Sequence, residues 1–140
     1  ESTTTKPDRQ ETAASWRGHG TILVVDDEEI VREVGKDMLE AIGFNVITAG
    51  DGQDAVEIFN DRSNEIDCVL LDLTMPRMNG EECFFELRKI RKDIRILIYS
   101  GYSKQETAQK FIDQEVNGFL EKPFQLKTLQ DSMRKVFESA

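Results

Sequence analysis

Four short apolar runs in this chain each end in a polar side chain that could handle phosphate or a metal ion. The residues that follow or end these runs are Asp26 with Asp27, Asp72, Ser100 and Lys122. Short runs without alternating polar residues are typical of strands covered on both faces in a parallel sheet. Ligands of such sheets lie beyond the carboxyl ends of the strands. If the four strands are neighbours, three carboxylates, a hydroxyl and an ammonium group therefore meet at one place.

The three carboxylates need a compensating positive charge to lie close together. Two like charges about 4 Å apart repel by roughly 4 kcal/mol at an effective dielectric constant near 20. Lys122 supplies one positive charge, and a hard divalent cation bound through oxygen atoms would supply the rest. A transition-metal site is disfavoured because the sequence places no His or Cys nearby. We therefore expect Mg²⁺ as the cofactor, with Mn²⁺ as a substitute for it.

A metal-loaded acidic site with a hydroxyl and an ammonium group suits phosphoryl transfer. That reaction depends on positioning and on neutralising the oxygens of the transferred group. One carboxylate could itself be the nucleophile and form an acyl phosphate. Asp72 is the best candidate, because it stands alone at its strand end, whereas Asp26 and Asp27 are adjacent and suited to hold a metal jointly. Each residue alone could be a helix cap, a turn residue or a surface charge, but four such placements together favour chemistry.

Strand and helix patterns alternate five times from Thr21 onward and predict an α/β domain, a parallel sheet with helices on both faces. Strands are predicted near 21–26, 44–49, 67–72, 95–100 and 118–121, and helices near 29–42, 52–60, 80–91, 104–114 and 125–138. The first helix should bury one stripe, made by Ile30, Val31, Val34, Met38 and Leu39. The fourth has a weaker stripe, made by Ala108, Phe111 and Ile112. Gly43 should end the first helix, and the second strand, the least apolar, suits an edge of the sheet.

Length and composition restrict the class of protein. The 140 residues suffice for one domain, predicted over 21–140, and the polar residues 1–20 are typical of a linker. A net charge of -9 argues against direct binding of nucleic acid or of an anionic membrane. The two cysteines are expected to be reduced core thiols of a cytoplasmic protein. Because the sequence begins at Glu1, we expect it to be a piece of a longer chain.

Four motifs together resemble the receiver domain of two-component response regulators. They are Val25-Asp26-Asp27-Glu28, the LDLTMPRMNG run from Leu71 to Gly80, Ser100-Gly101 and Lys122-Pro123-Phe124. Their separations are 45 residues from Asp27 to Asp72, 28 more to Ser100 and 22 more to Lys122. The resemblance covers residues 21 to about 138. It implies a flavodoxin-like doubly wound (βα)5 fold, with a five-stranded parallel sheet of order 2-1-3-4-5.

The resemblance also implies roles in phosphoryl transfer. Asp72 would accept a phosphoryl group from a phosphohistidine on a histidine kinase or a histidine phosphotransfer domain. Asp26, Asp27 and Asp72 would hold Mg²⁺ together with the backbone carbonyl of Thr74. Ser100 and Lys122 would contact the phosphoryl oxygens.

Further residues would carry the response to phosphorylation. Movement of Ser100 would leave space for Phe119 to turn inward and switch the face made by the fourth helix, fifth strand and fifth helix, where a downstream partner docks. Thr74 and Tyr102 occupy the two positions that tune loss of the phosphoryl group, and the peptide before Pro123 would be cis.

The favoured function is therefore a phosphoacceptor switch of a phosphorelay rather than an enzyme with a diffusible substrate. Its parent is expected to be a hybrid sensor histidine kinase with a receiver at its carboxyl end, in preference to a stand-alone regulator. The domain would then be cytoplasmic, alone or as part of a membrane-anchored kinase, with no membrane contact of its own.

Two other functions remain open. The main alternative is a Mg²⁺-dependent phosphohydrolase that works through an aspartyl phosphate. Such enzymes usually carry a second Asp two residues after the nucleophile, where this chain has Thr74. A flavodoxin-like cofactor binder is also conceivable, but its phosphate would be repelled by three carboxylates unless a metal intervened.

Overall fold

Five parallel strands in the order β2-β1-β3-β4-β5 form the centre of the computed structural model, which describes residues 16–75 and 78–138. The strands are β1 (Thr21–Val25), β2 (Asn45–Ala49), β3 (Cys68–Asp72), β4 (Arg95–Ser100) and β5 (Gly118–Glu121). The helices are α1 (Glu29–Ile42), α2 (Gly52–Arg62), α3 (Gly80–Ile90), α4 (Lys104–Gln109) and α5 (Leu126–Glu138). The predicted doubly wound fold is confirmed, and β2 lies at an edge as expected.

Two apolar layers cover the sheet, one on each face. Helices α2 and α3 pack together on one side, and α1 and α5 pack together on the other. Successive residues of a strand point to opposite faces, so Leu97 and Tyr99 join the α1/α5 layer, whereas Ile96 and Ile98 join the α2/α3 layer. The continuous apolar runs of β1, β3 and β4 follow from this burial on both faces.

Capping contacts fix where the helices begin beside the strand ends. The Asp51 side chain accepts a hydrogen bond from the Asp54 N–H at 2.7 Å at the start of α2. Capping boxes start α3, through Asn79 and Glu82, and α4, through Ser103 and Glu106. Each cap satisfies N–H groups that a helix start leaves without an internal partner.

The predicted stripe of α1 is partly wrong. Ile30 is 80% exposed and Val34 45% exposed. The buried residues of α1 are Gly35, Leu39 and Ile42. A Cβ at Gly35 would lie 3.8 Å from Val24 Cγ1, so α1 approaches β1 closely along the glycine side. The side of α1 that faces the sheet is therefore the side of Gly35, Leu39 and Ile42. Ile30 and Val34 lie at the edge of the α1/α5 layer.

The fourth helix is shorter than predicted. It ends at Gln109, because the N–H groups of Lys110 and Phe111 donate to the carbonyls three residues earlier rather than four. Phe111 is buried as expected, but Ile112 is 78% exposed, so its assignment to an inward stripe was wrong. The chain after Gln109 therefore continues as turns that lead to β5.

The chain ahead of β1 contacts the α1/α5 layer. Trp16 is half-buried, with its ring centroid 6.2 Å from that of Phe44. The Gly18 N–H donates to the Ile42 carbonyl at 3.1 Å, next to Gly43, which ends α1 with a φ of 123° as expected. The domain boundary at residue 20 stays a prediction, and residues 1–15 of the predicted linker lie outside the described residues.

Both cysteines are free and buried, and burial raises the pKa of each thiol to about 12, as fits inert core residues. Within 16–75 and 78–138, none of the helices has the length and apolar character that a bilayer span requires.

Candidate functional site

Three carboxylates lie together at the carboxyl edge of the sheet. Asp72 is the last residue of β3, and Asp26 and Asp27 directly follow β1, its neighbour in the sheet. One oxygen from each of the three can be chosen so that all lie within 4.8 Å of one another. Asp26 and Asp72 are buried, whereas Asp27 is exposed. This all-oxygen donor set fits the ligand preference of Mg²⁺, and the exposed Asp27 leaves an open side for the ion's waters.

Lys122 brings a positive charge close to two of the carboxylates. Its Nζ lies 3.2 Å from Asp72 Oδ1 and 3.5 Å from Asp26 Oδ2. The Lys122 N–H donates to the Ser100 carbonyl at 2.7 Å, which ties the chain after β5 to the end of β4. The peptide between Lys122 and Pro123 is cis.

The surroundings of Asp72 disfavour the ionised form of its carboxyl group. Burial, and then the charge of Asp26, raise its pKa to about 7, although Lys122 opposes that rise. A group of this kind is only partly ionised near neutral pH. A divalent cation would favour its ionised form, which is the form that can act as a nucleophile.

Hydrogen bonds hold both carboxylate oxygens of Asp26. Oδ1 accepts from the Glu28 N–H at 2.8 Å, and Oδ2 accepts from the Tyr99 hydroxyl at 2.5 Å. The Asp26 carbonyl accepts from Arg32 Nη1 at 2.7 Å, which links the loop after β1 to α1. The orientation of Asp26 is thus fixed by three separate parts of the fold.

Ser100 is held toward α4. Its Oγ lies 2.9 Å from Thr107 Oγ1, and it accepts from the Tyr102 N–H at 3.1 Å. Phe119 of β5 is half-buried, with its ring centroid 6.4 Å from that of Phe111. The hydroxyl, α4 and the aromatic ring therefore form one connected contact region.

Two exposed residues, Thr74 and Tyr102, lie in the loops that follow β3 and β4. The Thr74 N–H donates to Asp72 Oδ1 at 3.3 Å. Tyr102 is 48% exposed, and Lys110 Nζ lies 5.9 Å from its ring centroid. Thr74, Tyr102 and Lys110 line a surface cavity of about 290 Å³. Pro76 and Arg77 of the LDLTMPRMNG motif lie outside the described residues.

Comparison with known families settles the class of the chain. The sequence model of the response regulator receiver domain matches residues 22–134. The chain belongs to the receiver domain family. It is a receiver domain of two-component signal transduction, and a receiver is a phosphoacceptor switch, so the phosphohydrolase alternative is not favoured.

Similar receivers occur inside longer sensor kinases. Sensor kinase CckA of Brucella abortus (strain 2308) is 36% identical over 133 residues, which cover 95% of this chain and 14% of that protein. The crystal structure of the receiver domain from the hybrid histidine kinase CckA is 30% identical, with a TM-score of 0.71, and the match covers 85% of this chain and 100% of that one. This receiver thus spans only a small part of the curated sensor kinase that it matches.

A chemotaxis complex provides a third comparison. A chain in the crystal structure of the CheX–CheY–BeF3–Mg²⁺ complex from Borrelia burgdorferi is 28% identical to this receiver, with a TM-score of 0.80. The match covers 84% of this chain and 89% of that one.

Tyr99 is a site residue of this receiver that sequence reasoning missed. The sequence predicts only that it belongs to the strand near 95–100, yet it pairs in register with Asp72 and its hydroxyl donates to Asp26. A signal was available, because a tyrosine at the end of a fully buried strand needs a partner for its hydroxyl. The carboxylates of Asp26 and Asp72 are predicted to lie at that end of the sheet.

Proposed function

We propose that Asp72 is the phosphoacceptor of this receiver and that Asp26, Asp27 and Asp72 hold Mg²⁺ with the backbone carbonyl of Thr74. The observation that carries the proposal is the buried Asp72 carboxylate, which faces Lys122 at 3.2 Å and has two further carboxylates beside it. A solitary nucleophile with an ammonium group and a dicarboxylate neighbour is the arrangement that phosphoryl transfer needs. Mn²⁺, which also takes oxygen ligands, would substitute for Mg²⁺.

The transfer would exchange one bond to phosphorus for another. An oxygen of the Asp72 carboxylate forms the new P–O bond while the P–N bond of a phosphohistidine breaks. The electron pair of that bond stays on the imidazole nitrogen, which then takes up a proton. Lys122 pairs with a phosphoryl oxygen, and Mg²⁺, when bound, supplies further neutralisation of the phosphoryl oxygens.

The phosphodonor would be a histidine kinase or a histidine phosphotransfer domain that docks beside Asp72. The exposed side chains of Ile30 and Val34 line an apolar groove of about 220 Å³ together with Lys122, Pro123 and Phe124. Exposed apolar surface next to a reactive group is typical of a docking site. A helix that carries the phosphohistidine would bury these side chains and bring the imidazole to Asp72.

The output would run through Ser100, Phe119 and the α4–β5–α5 face. Ser100 would leave Thr107 for a phosphoryl oxygen, and Phe119 would turn toward the space that opens. A groove of about 450 Å³ on this face, lined by Lys104, Phe119 and Lys135 among others, would take the downstream partner.

The similarity to CckA supports a hybrid sensor histidine kinase as the parent of this receiver, at the cytoplasmic side of a membrane or free in the cytoplasm.

Tyr102 and Thr74, which line one cavity with Leu73 next to Asp72 in the chain, would shield the acyl phosphate from water. A shorter phosphoryl half-life in Tyr102→Ala than in the parent chain is the expected outcome, and an unchanged half-life would remove this part of the proposal.

A phosphorylation assay tests the proposal. The chain is incubated with Mg²⁺ and acetyl phosphate, and its intact mass is measured. We expect the gain of one phosphoryl group, its loss in Asp72→Asn, and its retention in the matched control Asp113→Asn, an exposed carboxylate outside the site. Steady release of phosphate without an adduct would instead favour the phosphohydrolase.

A further inference from the structure

The side chain of Tyr99 contacts two charged residues of the site, Asp26 and Lys122. We propose that Tyr99 is a positioning residue of the metal site, whose hydroxyl holds the Asp26 carboxylate in the orientation that Mg²⁺ requires and keeps Lys122 shared between Asp26 and Asp72. The inference rests on the proposed function, because it takes Asp26 as a ligand of Mg²⁺.

The strand register carries Tyr99 to this position. Tyr99 pairs with Asp72 across β3 and β4, and both side chains point to the α1/α5 side of the sheet. The ring is 1% exposed and meets Phe124 edge-on, with 5.8 Å between the centroids. A ring packed in this way has little freedom, so its hydroxyl oxygen is held in place, 2.5 Å from Asp26 Oδ2 and 3.2 Å from the Val25 carbonyl oxygen.

The hydroxyl occupies one oxygen of Asp26 without blocking the carboxylate. Tyr99 donates to Oδ2 at 2.5 Å, while the Glu28 N–H donates to Oδ1 at 2.8 Å. A carboxylate offers about four lone-pair sites, so acceptor capacity remains for a cation or its water. Two donors at opposite ends of the carboxylate set its rotation, as outer contacts do for metal ligands in general.

Tyr99 also limits how closely Lys122 approaches Asp26. Lys122 Nζ lies 4.9 Å from the Tyr99 ring centroid, 3.5 Å from Asp26 Oδ2 and 3.2 Å from Asp72 Oδ1. Without the hydroxyl, Oδ2 would be free to turn toward the ammonium group and form a closer ion pair. That pair would compete with the metal for Asp26 and draw Lys122 away from Asp72.

A purely structural role makes a different prediction. If Tyr99 only fills the core, a phenylalanine would serve equally well at the metal site, because it keeps the ring and its contacts. A positioning role requires the oxygen atom itself. The two roles therefore separate in a variant that removes the oxygen alone.

The test is the dissociation constant for Mg²⁺ of the Tyr99→Phe chain, measured by isothermal titration calorimetry. We expect weakening by about tenfold, the usual size for loss of an outer partner of a metal ligand. Thr21→Val removes a hydroxyl at the opposite end of the sheet and should leave the constant unchanged. A constant within twofold of the parent chain in Tyr99→Phe would overturn the inference.

A double-mutant cycle shows whether the effect passes through Asp26. In an Asp26→Asn background, Tyr99→Phe should change Mg²⁺ affinity by less than twofold, because the carboxylate that it positions is gone. The same tenfold loss in both backgrounds would point to a general structural effect and overturn the inference.

A third measurement uses the unaltered protein, so its result does not depend on whether a variant folds. The chain has two tyrosines, so the ¹³Cζ resonance of Tyr99 can be followed by NMR during a Mg²⁺ titration. We expect it to shift as the metal saturates, since Asp26 then shares its charge with the ion; a stationary resonance contradicts the inference. If the parent chain binds no Mg²⁺ at all, the proposed function itself fails, which distinguishes the two failures.

Discussion

The hydroxyl oxygen of Ser100 lies 2.9 Å from that of Thr107, and both side chains are buried. Ser100 ends β4 and Thr107 lies within α4, so this contact joins the acceptor site to the helix of the proposed output face. If Ser100 turns toward a phosphoryl group on Asp72, the contact with α4 must break. A neutral hydrogen bond of this kind contributes about 1 kcal/mol to the form that contains it.

Thr107→Val should therefore favour the switched form. We expect its free energy of unfolding to fall by about 1 kcal/mol, and its affinity for BeF3⁻ with Mg²⁺ to rise roughly fivefold, because the bond no longer has to be broken. Calorimetric titration with BeF3⁻ checks the second effect, and Thr48→Val, on the edge strand, serves as control. Weaker BeF3⁻ binding in Thr107→Val would show that the contact does not oppose the switch.

Lys122→Met should have opposite effects on Mg²⁺ affinity and on the rate of phosphorylation. The ammonium group competes with a metal for Asp26 and Asp72, so its removal should tighten Mg²⁺ binding by roughly threefold to tenfold. Phosphorylation by acetyl phosphate should nevertheless slow by about 100-fold, because a charge that stabilises the transferred group is lost. The control is Lys127→Met, which removes an exposed lysine of α5. Weaker Mg²⁺ binding in Lys122→Met would show that the ammonium group does not compete with the metal for the carboxylates.

The pKa of Asp72 predicts a pH dependence of stability in Mg²⁺-free buffer. Its folded value of about 7 lies above the ordinary carboxyl value, so the folded state binds the proton more tightly than the unfolded state. The resulting stabilisation is complete only below the unfolded pKa and is lost as pH rises through 7. Between pH 8 and pH 6 the free energy of unfolding should rise by about 1 kcal/mol.

Urea unfolding of the parent chain and of Asp72→Asn at both pH values measures this effect. The variant lacks the titrating group, so it should lose the rise. If instead the free energy of unfolding of the parent chain fell relative to that of the variant between pH 8 and pH 6, the assignment of the raised pKa to Asp72 would be wrong.

The backbone of Gly80 lies close to the backbone of Asp72 and Leu73. A Cβ there would lie 2.5 Å from Leu73 Cα and 2.6 Å from the Asp72 carbonyl oxygen, which are backbone atoms. Gly80→Ala should therefore lower the free energy of unfolding by about 1–3 kcal/mol. At Gly101 a Cβ would meet no heavy atom within 4 Å, so Gly101→Ala should stay within about 0.5 kcal/mol. Equal losses in the two variants by urea unfolding would refute the steric argument.

The strand bounds and most helix bounds were predictable to within one or two residues. Local signals set them: apolar runs that end in polar residues, and helix ends such as Gly43. The exposure of Ile30 and Val34 was not predictable, because periodicity identifies an apolar face but not the rotation of the helix against its sheet. Close packing of Gly35 on Val24 sets that rotation, and this contact joins two separate elements.

The charged members of the candidate site were predictable, but Tyr99 and Thr107 and the contacts between the side chains were not. Strand ends in a parallel sheet meet at one edge, which placed Asp26, Asp72 and Lys122 together. The partner of a side chain depends on rotamers and on neighbours distant in sequence. The contacts of Tyr99 with Asp26 and of Ser100 with Thr107 therefore emerged only from the three-dimensional structure.

The location of the phosphoryl group tests the central claim most directly. The chain is phosphorylated with acetyl phosphate and Mg²⁺, the acyl phosphate is reduced with borohydride, and the modified residue is located by tandem mass spectrometry. The structure predicts modification at Asp72 alone and none when Mg²⁺ is removed by a chelator. Modification at another residue, or at Asp72 without a divalent cation, would contradict the account.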